Sequence, residues 1–152
     1  MGFLKKMTSA ITGGGADVSI EYPPGPYKQG ESIPVKVTIV STGGDVKSGG
    51  VFVDLQAKEH GSVFGSHRCE KCGHVDTSSK VNVSKKTVDT SFPVGPAFVL
   101  QSNERKEFEG QISLPGGQPS YKGSVNHDWE IRGRLEAFGN DPDSGFKHIE
   151  VK

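Results

Sequence analysis

Both cysteines of the chain and two of its five histidines lie within eight residues, from His67 to His74. Cys69 and Cys72 form a Cys-x-x-Cys pair followed by glycine, a spacing that can direct two thiolates toward one metal ion. Imidazole nitrogens can complete the tetrahedron that zinc prefers. We therefore predict zinc as a cofactor, bound by a knuckle in the 60–74 loop, with Cys69, Cys72, His74 and His67 as ligands. The more distant His60 is the alternative to His67.

Other chemistry of a Cys-x-x-Cys pair fits this segment less well. A c-type haem attachment needs histidine directly after the second cysteine, where this chain has Gly73. A thioredoxin-like pair needs its first cysteine at the start of a helix after a strand, a context that is missing here. A reduced pair and a small disulfide remain as alternatives to zinc. Since all the candidate ligands lie on one loop, a second chain could also complete the site.

Motifs for catalysis are scarce, and we predict that the protein is not an enzyme. The chain has no Gly-x-Ser-x-Gly elbow, no Walker phosphate loop and no His-Glu-x-x-His pair. His127 and Asp128 are adjacent, but neighbours in a strand point to opposite faces, so they cannot readily serve one site. A zinc ion in the knuckle is expected to be structural, because a catalytic zinc needs an open, walled position.

Composition and charge narrow the function classes. Eighteen basic residues balance eighteen acidic ones, and no basic stripe is present, so nucleic acid is not an expected partner. The 152 residues are enough for one domain with its own core. A high content of glycine and proline, 21 and 9 residues, is typical of many turns between short strands.

The same sequence predicts a cytoplasmic protein. No apolar run follows Lys6 that would make the start a signal peptide, and no run approaches the length that spans a bilayer. Two cysteines close together are too few to staple a secreted fold.

The first residues have the pattern of a short amphipathic helix over 2–11 that ends at a run of glycines. Its apolar positions are Phe3, Leu4, Met7 and Ile11, and two lysines lie opposite them. We expect this helix to pack on the domain, or to make a weak contact with a partner or a membrane surface through Phe3 and Leu4. The domain boundaries predicted here are 1–15 for this segment with its glycine linker and 16–152 for the folded domain.

From residue 16 onward, apolar residues alternate with polar ones, as in strands with one buried face. About eight strands are predicted, centred on residues 18–20, 33–39, 51–57, 81–83, 98–100, 108–114, 129–135 and 149–151. Turn residues separate them. The pattern indicates an all-β, antiparallel, immunoglobulin-like β-sandwich, with a closed barrel as the lesser alternative. Trp129 falls on the inward positions, and Arg132 and Arg134 fall on the outward ones.

Several segments together resemble the arrestin-like family, and most closely its bacterial sporulation-control members. They are FLKKM at 3–7, ADV at 16–18, YKQGESIPVKV at 27–37, ISLP at 112–115, PSYKG at 119–123 and WEIRGRL at 129–135. The resemblance covers most of the chain in order, and it implies an arrestin-type sandwich of the amino-terminal kind.

The resemblance also implies a non-enzymatic adaptor that binds proteins through sheet edges and loops. It allows an anionic contact at Arg132 and Arg134. Two features depart from the family pattern: we expect one such domain where the family usually has two, and the cysteine loop is extra. A second copy of the chain could take the place of the second domain, so a homo-oligomer is an expected partner state. Two alternatives stay open, a ligand- or carbohydrate-binding sandwich and a structural subunit of a larger assembly.

Overall fold

The structure is a computed structural model that describes residues 5–8, 15–68, 70–73, 75–116, 125–137 and 141–152. For residues 5–8, 63–68, 75–81, 83 and 125 it describes the backbone alone.

The described residues form nine strands. They are β1 (Lys5–Thr8), β2 (Ala16–Tyr22), β3 (Ser32–Ser41), β4 (Val46–Arg68), β5 (Val75–Gly95), β6 (Phe98–Leu100), β7 (Arg105–Ser113), β8 (Val125–Ala137) and β9 (Lys147–Ile149). One sheet has the order β1-β2-β3-β7, and the other has the order β5-β4-β8-β9 with β6 also paired to β4. All of these strand pairs are antiparallel. The predicted all-β antiparallel sandwich is therefore confirmed.

The core lies between the two sheets and is built from the alternating residues that the sequence indicated. Along β2 and along β4 from residue 51 to 57, the alternate, inward-facing apolar residues are buried, and Trp129 on β8 is only 2% exposed. The sheets approach closely at Gly133, where an added Cβ would lie 3.2 Å from Val37 Cγ1 of the facing sheet. The inward position of Trp129 is thus confirmed.

A pair of glycines lets β5 and β7 approach each other where one side of the sandwich closes. A Cβ on Gly95 of β5 would lie 2.5 Å from Phe108 Cδ1, and one on Gly110 of β7 would lie 2.8 Å from Val94 Cγ1. Each glycine therefore accommodates an apolar side chain of the opposite strand.

The amino-terminal helix is not seen, and the part of it that the structure describes is strand β1. Lys5–Thr8 pairs antiparallel with β2, from Lys5↔Tyr22 to Thr8↔Ser19. Strand pairing satisfies the backbone groups along the edge of β2, which a helix would leave unpaired. This gain explains why the helical spacing of the apolar residues did not decide the local structure. The rest of the predicted helix, including Phe3 and Leu4, lies outside the described residues. No described helix has the length and apolar character needed to cross a membrane.

The predicted 60–74 loop is mostly β-structure. Strand β4 runs on to Arg68 and β5 starts at Val75, whereas the pairing of β8 with β4 ends at Gly61↔Val125. Beyond that point, among the described residues, β4 and β5 pair only with each other. We call residues 62–68 and 75–82 the β4–β5 arm. The cysteine-containing turn lies at its far end.

Candidate functional site

The turn of the β4–β5 arm carries the predicted zinc ligands. The last cross-strand pair is Arg68↔Val75, which leaves six residues to close the turn. Cys72 is exposed in this turn, and the next residue, Gly73, has a φ of 72°. A positive φ directly after the second cysteine is the conformation that glycine adopts without strain. A zinc knuckle needs a tight turn after its second cysteine, and this conformation of Gly73 allows one.

Two of the four predicted ligands, Cys69 and His74, lie outside the described residues. Among the residues that are described, no three histidine, cysteine, aspartate or glutamate side chains are grouped so that they could hold a metal ion. The backbone of His67 pairs with Asp76, one position before the end of the ladder. Zinc binding therefore stays a prediction, with His67 close to the turn along the strand.

The register decides between His67 and His60 as the second histidine. His60 pairs with Ser84 and Asn126, eight residues before Arg68 on β4. At about 3.3 Å per residue, this separation is roughly 25 Å. The His60 imidazole is instead in contact with the Asp128 carboxylate at the base of the arm. His60 is thus too far away to share a site with the cysteine turn.

A second polar site lies on the outer face of the β5-β4-β8 sheet, where the predicted contact residues Arg132 and Arg134 meet Asp54, which was not anticipated from the sequence. Its centre is Asp54 on β4, whose side chain is only 9% exposed. Its Oδ2 accepts hydrogen bonds from Arg132 Nε at 2.7 Å and Arg134 Nε at 3.0 Å, and its Oδ1 accepts one from Ser91 at 2.6 Å. Side chains from three strands, β4, β5 and β8, therefore meet at the Asp54 carboxylate.

Both guanidinium groups are held from several sides. Arg132 also reaches Asp143 at 3.4 Å, and its guanidinium lies 4.5 Å from the ring centroid of Phe146. Arg134 reaches Asp141 at 3.2 Å and lies 4.8 Å from the centroid of Phe52. The two arginines lie on the outward positions that the sequence indicated, but they are 72% and 82% buried in this cluster.

The electrostatics of the cluster favour an ionised Asp54. Burial alone would raise the pKa of this carboxyl, but hydrogen bonds from Ser91, Arg134 and Arg132 outweigh burial and hold the pKa below its ordinary value of 3.8. The cleft around the cluster has a volume of about 400 Å³ and is also lined by Lys86 and Asp89. Carboxylates of the same chain already engage both guanidinium groups, so an anionic partner would have to compete with them. Binding of such a partner stays a prediction.

The sequence contained a signal for this cluster. Asp54 occupies an outward position between two buried residues of β4, and its cross-strand partner on β8 is Arg132. An acid directly opposite an arginine is a stabilising pair on a sheet face. Finding it requires the register, which periodicity alone does not provide.

His127 and Asp128 point to opposite faces, as predicted. His127 Nε2 lies 2.7 Å from Thr87 Oγ1, and its ring packs edge-on against Trp129 at 5.5 Å. Asp128 contacts His60 on the other face. The two residues therefore do not form a catalytic dyad. Trp129 is part of the core, so this side chain is not available as a platform for sugar binding.

No family model matches the chain, and no curated protein matches it. Among solved structures, it is similar to Spo0M, the sporulation control protein from Bacillus subtilis, with a TM-score of 0.60 and 19% sequence identity. The match covers 91% of this chain and 50% of the Spo0M chain, so this chain spans about half the length of that structure. At this identity the similarity concerns the fold. The resemblance noted in the sequence is confirmed at that level: the chain shares the arrestin-like β-sandwich fold of Spo0M.

Proposed function

We propose that this protein is a cytoplasmic, non-enzymatic adaptor that binds other proteins through a sheet edge and loops. The proposal draws on the fold, because a rigid sandwich can present edges and loops to a partner without turning over a substrate. It also draws on the similarity to Spo0M, a protein whose name assigns it a role in the control of sporulation. The corresponding role for this chain is regulatory.

The β4–β5 arm is the observation that carries the proposal. Among the described residues, β5 has a neighbour on one side only, so one edge of a 21-residue strand keeps backbone donors and acceptors for another strand. Register shifts at Ala57/Lys58 and Gly65/His67 bound a regular stretch of β5, residues 79–86. Asn82, which lies in this stretch, is exposed. An extended segment of a partner protein could add here as a further strand.

A photoreactive amino acid placed at Asn82 tests this role in cells of the source organism. The expected result is a covalent adduct with a partner protein, identified by mass spectrometry. The matched control is the same photoreactive residue at Glu136, which is also exposed but lies on β8, separated from the β5 edge by β4. Adducts of equal yield from both positions, or none from Asn82, would count against docking at the β5 edge.

Zinc is the proposed cofactor, and its proposed role is structural. Cys69, Cys72, His74 and His67 would hold the ion, and two thiolates with two imidazoles make a donor set that zinc accepts. The positive φ of Gly73 supports this arrangement. Bound zinc would fix the turn of the arm.

The proposed partners are proteins, and a second copy of the chain is one of them. Phe3, Leu4, Arg132 and Arg134 remain proposed contact residues, and a membrane-surface contact through residues 2–11 is a lesser part of the proposal. Nucleic acid is not a proposed partner, because the charges of the chain balance.

A further inference from the structure

Two lysines lie directly opposite each other on the outer face of the β5-β4-β8 sheet. Lys58 of β4 is the cross-strand partner of Lys86 of β5, and both residues are exposed. Lys86 also lines the cleft around Asp54, which places its side chain on the outer face. Like charges directly opposite each other on a sheet face are destabilising. The fold therefore keeps an unfavourable electrostatic contact at this pair, which a bound anion would relieve.

A β-bulge produces this arrangement. From Ala57 to Lys58, β4 advances one residue while β5 advances two, and the extra residue on β5 is Thr87. Because side chains alternate along a strand, an unbroken ladder would have placed Thr87 opposite Lys58 and turned Lys86 to the inner face. The Thr87 hydroxyl instead donates to the Ala57 carbonyl at 3.3 Å and lies 2.7 Å from His127 Nε2. These contacts anchor the bulge, and the bulge directs Lys86 to the outer face.

The acidic groups nearby leave the lysine pair only partly neutralised. Lys86 Nζ lies 3.3 Å from Asp89 Oδ2, but the side chain of Asp89 is 69% exposed, and so exposed an ion pair contributes little. Asp128 is the cross-strand partner of Lys58 on β8, but its carboxylate is in contact with His60. Among the described residues, Lys58 makes no ion pair. The pair is therefore open to a carboxylate from another molecule.

We propose that Lys58 and Lys86 form a docking surface for an acidic segment of a partner protein. Directly opposite residues of antiparallel strands have Cα atoms about 5 Å apart, so one carboxylate can reach both ammonium groups. Phosphate recognition typically uses the planar fork of arginine, which neither residue offers. The balanced charge of the chain disfavours nucleic acid. The proposed adaptor role is the basis on which this inference rests, and the lysine pair adds the chemistry of the partner without requiring an unpaired strand edge.

An NMR titration of the full-length protein, labelled with nitrogen-15, tests this surface. The probe is a synthetic peptide of alternating threonine and glutamate, and the control peptide has glutamine in place of glutamate. At low ionic strength, the amide signals of Lys58 and Lys86 should shift with the acidic peptide and stay in place with the neutral one. An exposed ion pair changes a Kd by about 1.4- to 5-fold, so changing both lysines to glutamine should weaken binding roughly 2- to 25-fold. Added salt should weaken it further.

The matched control is Lys28→Gln with Lys47→Gln, which removes two exposed lysines elsewhere and leaves the same net charge. This control should bind the acidic peptide like the unchanged protein. Equal weakening in both double variants, or no shift at Lys58 and Lys86, would refute the docking surface. Tighter binding of inorganic phosphate than of the peptide at these two lysines would overturn the acidic partner in favour of a phosphate site. If the Lys58→Gln, Lys86→Gln variant still binds the peptide unchanged while Asn82 captures a partner in cells, this inference fails and the adaptor role stands.

Discussion

Asp54→Asn should destabilise the protein, because Asp54 neutralises two largely buried arginines on the outer face of the sheet. The side chain of Asp54 is 9% exposed, and those of Arg132 and Arg134 are 28% and 18% exposed. An asparagine keeps the shape of the side chain and can still accept the hydrogen bond from Ser91. It cannot neutralise either guanidinium group.

The magnitude follows from the bonds that are lost. A hydrogen bond to a charged group contributes about 1.5–3 kcal/mol. The low end applies here, because both arginines are partly exposed and keep Asp141 or Asp143 as a second partner. One such loss for each arginine gives about 3 kcal/mol at pH 7. For a domain of this size, that corresponds to a fall in Tm of about 6–12 °C.

Urea denaturation followed by the fluorescence of Trp129, the one tryptophan of the chain, measures this change. The control is Asp89→Asn in the same cleft, since Asp89 is 69% exposed and pairs only with Lys86 in the described structure. This control should cost no more than about 0.5 kcal/mol.

The pH dependence has a definite sign. Because the pKa of Asp54 is lowered in the folded protein, its contribution is present above 3.8 and is lost as the pH falls through the folded-state pKa. The difference between the unchanged protein and Asp54→Asn should therefore shrink below pH 3.8. If Asp54→Asn costs no more than Asp89→Asn at pH 7, the reasoning about this cluster is wrong.

Two further changes have expected outcomes. Gly95→Ala should lower the free energy of unfolding in urea by about 1–3 kcal/mol because its Cβ would collide with Phe108. Gly43→Ala, where a Cβ would meet no described atom within 4 Å, should be tolerated. Equal effects of the two would contradict the close approach of β5 and β7. Burial, followed by the charges of nearby acidic groups, raises the pKa of Tyr27 to about 12, so stability should fall as the pH rises from 10 toward 12. Tyr27→Phe should show a shallower fall over this range in the same urea assay, and an unchanged slope would exclude Tyr27 as its source.

The sequence predicted the sandwich because two-residue alternation reports directly on burial. Trp129 and the inward positions of β4 needed only that pattern. The amino-terminal helix was wrong over residues 5–8, since the gain from pairing with β2 depends on a neighbour that is distant in sequence. The length of the β4–β5 arm and the Asp54 cluster were missed for the same reason: both depend on strand register. Local periodicity does not define register.

The most direct test of the account is the zinc content of the purified protein, prepared under reducing conditions without added metal and measured by mass spectrometry together with its mass in solution. The account predicts about one zinc per chain, lost in Cys72→Ser and retained in His60→Gln, because His60 lies roughly 25 Å from the turn. Half a zinc per chain in a dimer would show that two chains share the site. A metal-free protein, or zinc that survives Cys72→Ser, would contradict the zinc knuckle.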